Sequence, residues 1–126
     1  MYKFEKLEVW KLSIEFMDGI YDIAERLPEL ERYNLASQIT RASTSISLNI
    51  AEGSTGQSNA EQNRFLGMAL RSLVETVACL KLLERRDYVD REKIQASYES
   101  SEKLFAKLTA FRKSINSSSR KRTNTG

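Results

Sequence analysis

Apolar residues recur along this chain at three-and-four spacing almost from its start, which is the period of an amphipathic helix. Leu7, Trp10, Ile14, Met17, Tyr21 and Ala24 form one stripe, and Val9, Phe16, Ile20, Ile23 and Leu27 form a second beside it. The two stripes predict a first helix over about residues 5–27, stopped by the restriction that Pro28 puts on Leu27. A second helix is predicted over about 32–53, with Ile39, Ala42, Ile46, Asn49, Ile50 and Gly53 on one face and Ser43 beside it. Gly53 is a natural helix terminator.

Ser58-x-x-Glu61 has the form of a capping box and opens a third helix over about 59–86. Leu66, Ala69, Leu73, Val77, Leu80 and Leu83 point inward, and Arg85 and Arg86 complement the negative helix end. Asp90 can cap a fourth helix over about 91–116, carrying Ile94, Ser97, Ser101, Leu104, Leu108, Phe111 and Ile115. Connections of about four to six residues make successive helices antiparallel neighbours. The expected fold is therefore all-α, an antiparallel up-down four-helix bundle over 1–116. A basic tail over 117–126, without apolar residues, is expected to be disordered.

The stretch RASTSISLNIAEG, residues 41–53, departs from an ordinary helix by its run of small polar residues. A face that small lets a neighbouring helix approach closely, and an asparagine within it can fix register. A P-loop would need G-x-x-x-x-G-K-[ST], which is not there. A serine hydrolase would need a general base, normally histidine, and the chain has none. The turn Gly53-Ser54-Thr55-Gly56 could meet an anion through backbone N–H groups, but a plain interhelix turn is the simpler reading.

The absence of histidine restricts function further. Di-iron bundles built on Glu-x-x-His and helical ribonucleases with a catalytic histidine are excluded, and one cysteine without imidazole argues against structural zinc. No Glu-Glu-x-x-Glu array exists to hold magnesium. Glu52 has no acid, base or ligand recurring near it at useful spacing, so no catalysis, metal or cofactor is expected. No apolar run reaches the length of a membrane span, the N-terminus lacks an export core, and the lone Cys79 suits a reducing compartment. A cytoplasmic protein is expected, with Cys79 a small buried residue.

Charge is unevenly distributed. Residues 1–28 carry a balance of −2, 29–55 of −1 and 56–87 of +1, whereas 88–126 hold nine basic and four acidic residues, or +5. The excess comes from Lys103, Lys107, Arg112, Lys113, Arg120, Lys121 and Arg122, and no acid follows residue 111. These seven are the candidate contacts to RNA or DNA phosphates. Basic helix ends also have a plain explanation in the helix dipole. No aromatic residue is interleaved with Arg120-Lys121-Arg122, so contact there would be backbone-driven and poor in sequence information. Arg41 is expected to pair with a carboxylate such as Glu75, and Trp10 to pack in the core or between subunits. The two stripes of the first helix are wider than one bundle face consumes, which points to a subunit interface.

Arg41-Ala42-x-x-Ser45-Ile46-x-x-Asn49-Ile50-Ala51-Glu52-Gly53 resembles the signature of the bacterial four-helix-bundle family named for intervening sequences in 23S ribosomal RNA genes. Diversity-generating retroelement accessory proteins are similar in fold. Phe4-Glu5-x-Leu7-x-Val9-Trp10 is similar to the family's opening, and Pro28, Glu31, Tyr33, Leu35, Gln38 and Ile39 to its lead into the second helix. Phe65-Leu66, Ala69, Ser72-Leu73, Glu75 and Tyr88-Val89 continue the resemblance, which covers about residues 4–115. It implies a homopentameric ring without known catalysis, with Arg41, Ser45, Asn49, Glu52 and Gly53 as structural motif residues. By analogy with the retroelement proteins it implies nucleic acid, and a reverse transcriptase or other protein, as partners. Asn34 and Asp87 stand where turn glycines are common, Ser54-Thr55-Gly56 replaces an aromatic-then-basic turn, and Arg71 replaces a glycine. The expected function is a non-enzymatic oligomeric scaffold that binds nucleic acid through basic charge; the alternative is a structural or protein-interaction module without such binding.

Overall fold

The computed structural model describes residues 1–56 and 58–125, with side chains described through Ser117. A 3-10 turn at Lys3–Lys6 leads into α1, Glu8–Glu25. After a second 3-10 turn at Glu29–Glu31 come α2, Leu35–Gly53, α3, Asn59–Arg86, and α4, Arg91–Thr125. Among the described residues there is no β-strand. α2 packs on α1 and α3, and α4 packs on α3 and α1, while the backbones of the diagonal pairs stay farther apart. Four antiparallel helices thus close a square bundle in chain order.

The element boundaries follow local chemistry. Leu7 is extended, with φ −73° and ψ 132°, so α1 begins three residues later than the apolar pattern suggests. The segment before it folds back instead: Phe4 meets Trp10 edge-on at 4.6 Å between ring centres, and Tyr2 stacks on Phe4 at 5.9 Å. Ser58 caps α3 by accepting from the Glu61 N–H at 3.1 Å. The Glu61 carboxylate turns to Arg64, 3.2 Å away, and so does not complete a capping box. Asp87 ends α3 in the left-handed region at φ 58°, where a glycine would be strain-free. Asn34 behaves differently from the expected glycine substitute: at φ −120° and ψ −103° it is not left-handed. Its side-chain amide donates to Glu31 instead. With no proline or glycine between residues 91 and 125 to interrupt it, α4 continues beyond the expected end at 116 to Thr125.

The core is layered by side chains that lose nearly all their exposure: Phe16, Ile20 and Ile23 from α1, Ile39, Ile46 and Ile50 from α2, Leu66, Leu73, Leu80 and Leu83 from α3, and Ile94 and Leu104 from α4. Burying each of these contributes roughly 1.5–3 kcal/mol against leaving it in water. Of the two stripes on α1, the one from Val9 to Ile23 faces this core. The other stays at the surface, with Ile14 and Met17 half-buried and Tyr21 exposed. Cys79 is buried, and loss of water raises its thiol pKa above the ordinary value. Among the described residues no helix is long and apolar enough to cross a membrane.

Candidate functional site

The small polar residues of α2 are used for close packing. Ala42, Ser43, Ile46, Ser47, Ile50 and Gly53 are buried. Ser43 returns its hydroxyl proton to the Thr40 carbonyl at 3.0 Å. Ser13 of α1 donates to the Trp10 carbonyl at 2.7 Å and sits 2.9 Å from Ser47 Oγ. Since the Ser13 proton is already committed, Ser47 is the donor across that helix pair. A Cβ on Gly53 would stand 3.0 Å from Phe65 Cβ of α3, so any side chain there would push the two helices apart by a few tenths of an ångström. In the turn that follows, Ser54 is buried and donates to the Ala51 carbonyl at 2.8 Å.

The same motif has an outward margin along α3. Asn49 is half-buried there and donates to the Ser45 carbonyl at 2.8 Å and to its Oγ at 3.1 Å. Ser72 of α3 donates to Ser45 Oγ at 3.0 Å, tying the helices together. Arg41 and Glu52 are exposed. Arg41 donates to Ser37 Oγ at 3.2 Å on its own helix, and no ion pair joins it to Glu75 among the described residues. The expected Arg41–Glu75 bridge is thus not formed, although both residues line one open polar cleft of about 580 Å³. Tyr33, Asn34, Gln38 and Ser45 line it with them. Spacing along α2 hinted at this cleft through Arg41 and Ser45, but its Tyr33 wall comes from the preceding turn, which helical periodicity does not place.

The candidate basic residues do not converge. Lys103 and Lys113 are exposed. Lys107 lies 3.6 Å from Glu8 of α1, and half-buried Arg112 donates through Nε to Asn63 Oδ1 of α3 at 2.8 Å. At about 100° per residue, Lys103 and Lys107 are roughly 40° apart around α4, but Lys107 and Arg112 are separated by about 140°. Lys107 therefore reaches α1 and Arg112 reaches α3, while Lys103 and Lys113 stand exposed on α4. The side chains of Arg120, Lys121 and Arg122 lie outside the described residues.

Two further clusters are satisfied internally. Buried Glu31 accepts from Asn34 Nδ2 and from the Tyr88 hydroxyl, both at 3.0 Å. The Asn34 bond leads in holding its carboxyl below the ordinary value of 4.5, with the Tyr88 bond also lowering it. Lys93 donates to Asp22 at 2.8 Å and pulls that carboxyl down likewise. Tyr98 is pushed up to about 12, first by burial and then by Glu84. Among the described residues no group of acidic and cysteine side chains could hold a metal ion.

The family model of 23S rRNA-intervening sequence proteins matches residues 5–110. Among solved structures, the chain is similar to a protein of unknown function from the S23 ribosomal protein family of Bacteroides thetaiotaomicron. The two are 32% identical with a TM-score of 0.77, over 83% of this chain and 98% of the other. No curated protein matches.

Proposed function

The chain belongs to the 23S rRNA-intervening sequence protein family, and from that premise we propose that it is a non-catalytic, oligomeric scaffold that contacts nucleic acid through basic charge. The observation that carries this reading is the charge skew: a balance of +5 over residues 88–126 and no acid after 111, in a chain without histidine. A run of Lys and Arg without interleaved acids attracts phosphate backbones and makes affinity fall steeply with salt. Assembly is supported by apolar surface at two different seams. Tyr21 and Leu48 are exposed on α1 and α2, with Ile14 and Met17 half-covered, while Val74 and Phe105 are exposed over a groove of about 300 Å³ between α3 and α4. Unlike patches on opposite sides of one protomer suit a head-to-tail contact, which forms a ring when the rotation between protomers closes and a filament when it does not; a homopentamer is the closed form that the family resemblance implies.

The test is a salt series of binding to mixed RNA and DNA, comparing the full chain with one ending at Asn116. Affinity that falls steeply with salt and is lost on truncation supports the proposal. Light scattering reports the assembly in the same samples, and a monodisperse monomer at micromolar concentration removes the scaffold. A second reading is favoured by the scatter of Lys103, Lys107, Arg112 and Lys113 around α4: a structural module that docks protein, such as a reverse transcriptase, without nucleic acid. Absence of binding even at low salt selects it.

A further inference from the structure

Arg41 and Glu75 are opposite charges facing one cleft without an ion pair between them. They lie abreast. The Ser72–Ser45 hydrogen bond of 3.0 Å pins antiparallel α2 and α3 at one level, so one turn before Ser45 is level with one turn after Ser72. Tyr33 stands at the cleft with 85% of its surface exposed, and the Arg32 guanidinium lies 5.3 Å from its ring centre. Gln38 adds an amide to the lining. The other polar clusters, around Glu31 and Asp22, satisfy their own hydrogen bonds.

We infer that this cleft holds one unpaired guanine of a nucleic-acid loop, an inference that rests on the nucleic-acid reading above and gives it a base-specific contact. A carboxylate only accepts hydrogen bonds. Guanine is the one standard base whose pairing edge offers two adjacent donors, N1–H and the N2 amino group, so it alone satisfies both oxygens of Glu75. Adenine and cytosine set one donor beside an acceptor, and uracil sets one donor between two acceptors. Arg41, a pure donor, meets the neighbouring O6 of the same base. Tyr33 supplies the ring on which an unpaired base stacks. Recognition is thus separated from the basic charge of α4, which supplies attraction without reading sequence.

The full-length chain is titrated with RNA hairpins of one stem and one unpaired loop base, at a single salt concentration. A guanine loop is expected to bind roughly tenfold tighter than an adenine loop, with inosine, which lacks the N2 amino group, in between. Glu75→Gln, a surface change, abolishes the preference and leaves the salt-dependent binding in place. Tyr33→Leu weakens all the loops together. Equal binding of guanine and adenine loops overturns this site alone, as does a preference that survives Glu75→Gln. Failure to bind any hairpin overturns the site together with the nucleic-acid reading.

Discussion

α2 and the far half of α4 carry the two strongest compositional signals in the chain, and the fold uses them in opposite ways. The small polar residues of α2 converge on two neighbouring helices, with Ser47 reaching Ser13 of α1 and Ser45 reaching Ser72 of α3. The cations of α4 diverge, toward Glu8 on one side and Asn63 on the other. A pattern with helical period becomes a shared face because the backbone makes it one. A composition without that period is only a number of charges, and the bundle distributes them as the helix turns. α2 should therefore be sensitive to single substitutions and α4 tolerant of them.

The sharpest way to break that contrast is Ile46→Ala, which empties a fully buried site in α2. It should cost about 2–5 kcal/mol, read from chemical denaturation of the full chain; a loss below 1 kcal/mol would mean the α2 face is not a packed seam. Gly53→Ala should cost about 1–3 kcal/mol through overpacking, because the new methyl meets Phe65 Cβ at 3.0 Å. A neutral result would show that α2 and α3 can separate without penalty.

Glu31→Gln tests the turn that leads into α2. Because the Glu31 carboxyl titrates below its ordinary 4.5 in the folded chain, its contribution is present above that pH and lost as pH falls through the folded value. Wild type should be the more stable at pH 7, with the gap closing as acid takes the pH below the ordinary 4.5 and through the lowered folded value. A gap that stays constant with pH would detach the effect from the carboxylate. On α4 the expected change is smallest: Lys107→Ala removes a solvent-exposed pair with Glu8 and should shift stability by less than about 1 kcal/mol. A larger loss would erase the distinction between the two helices.

Much of the architecture was legible because long amphipathic stripes declare helices. The span predicted for α3, 59–86, matches its observed ends, Asn59–Arg86, since Ser58 and Asp87 mark them chemically. The start of α1 was not legible: Leu7 suits the apolar stripe, yet its extended backbone breaks the helix so that Phe4 can lie against Trp10. The site was legible in part. Arg41 and Glu75 do share a cleft, but their ion pair is absent because Arg41 takes a hydroxyl on its own helix, a rotamer choice that spacing does not encode. The divergence of Lys107 and Arg112 is encoded in their five-residue separation, which sets them about 140° apart around a helix, whereas net charge carries no phase.

The aromatic fold-back at the start of α1 has a practical consequence. Trp10 is the chain's single indole, and Phe4 covers it edge-on. Its emission is therefore a built-in reporter of that one clasp: a red shift at denaturant concentrations below the main unfolding transition would signal the first segment peeling away before the rest of the molecule melts.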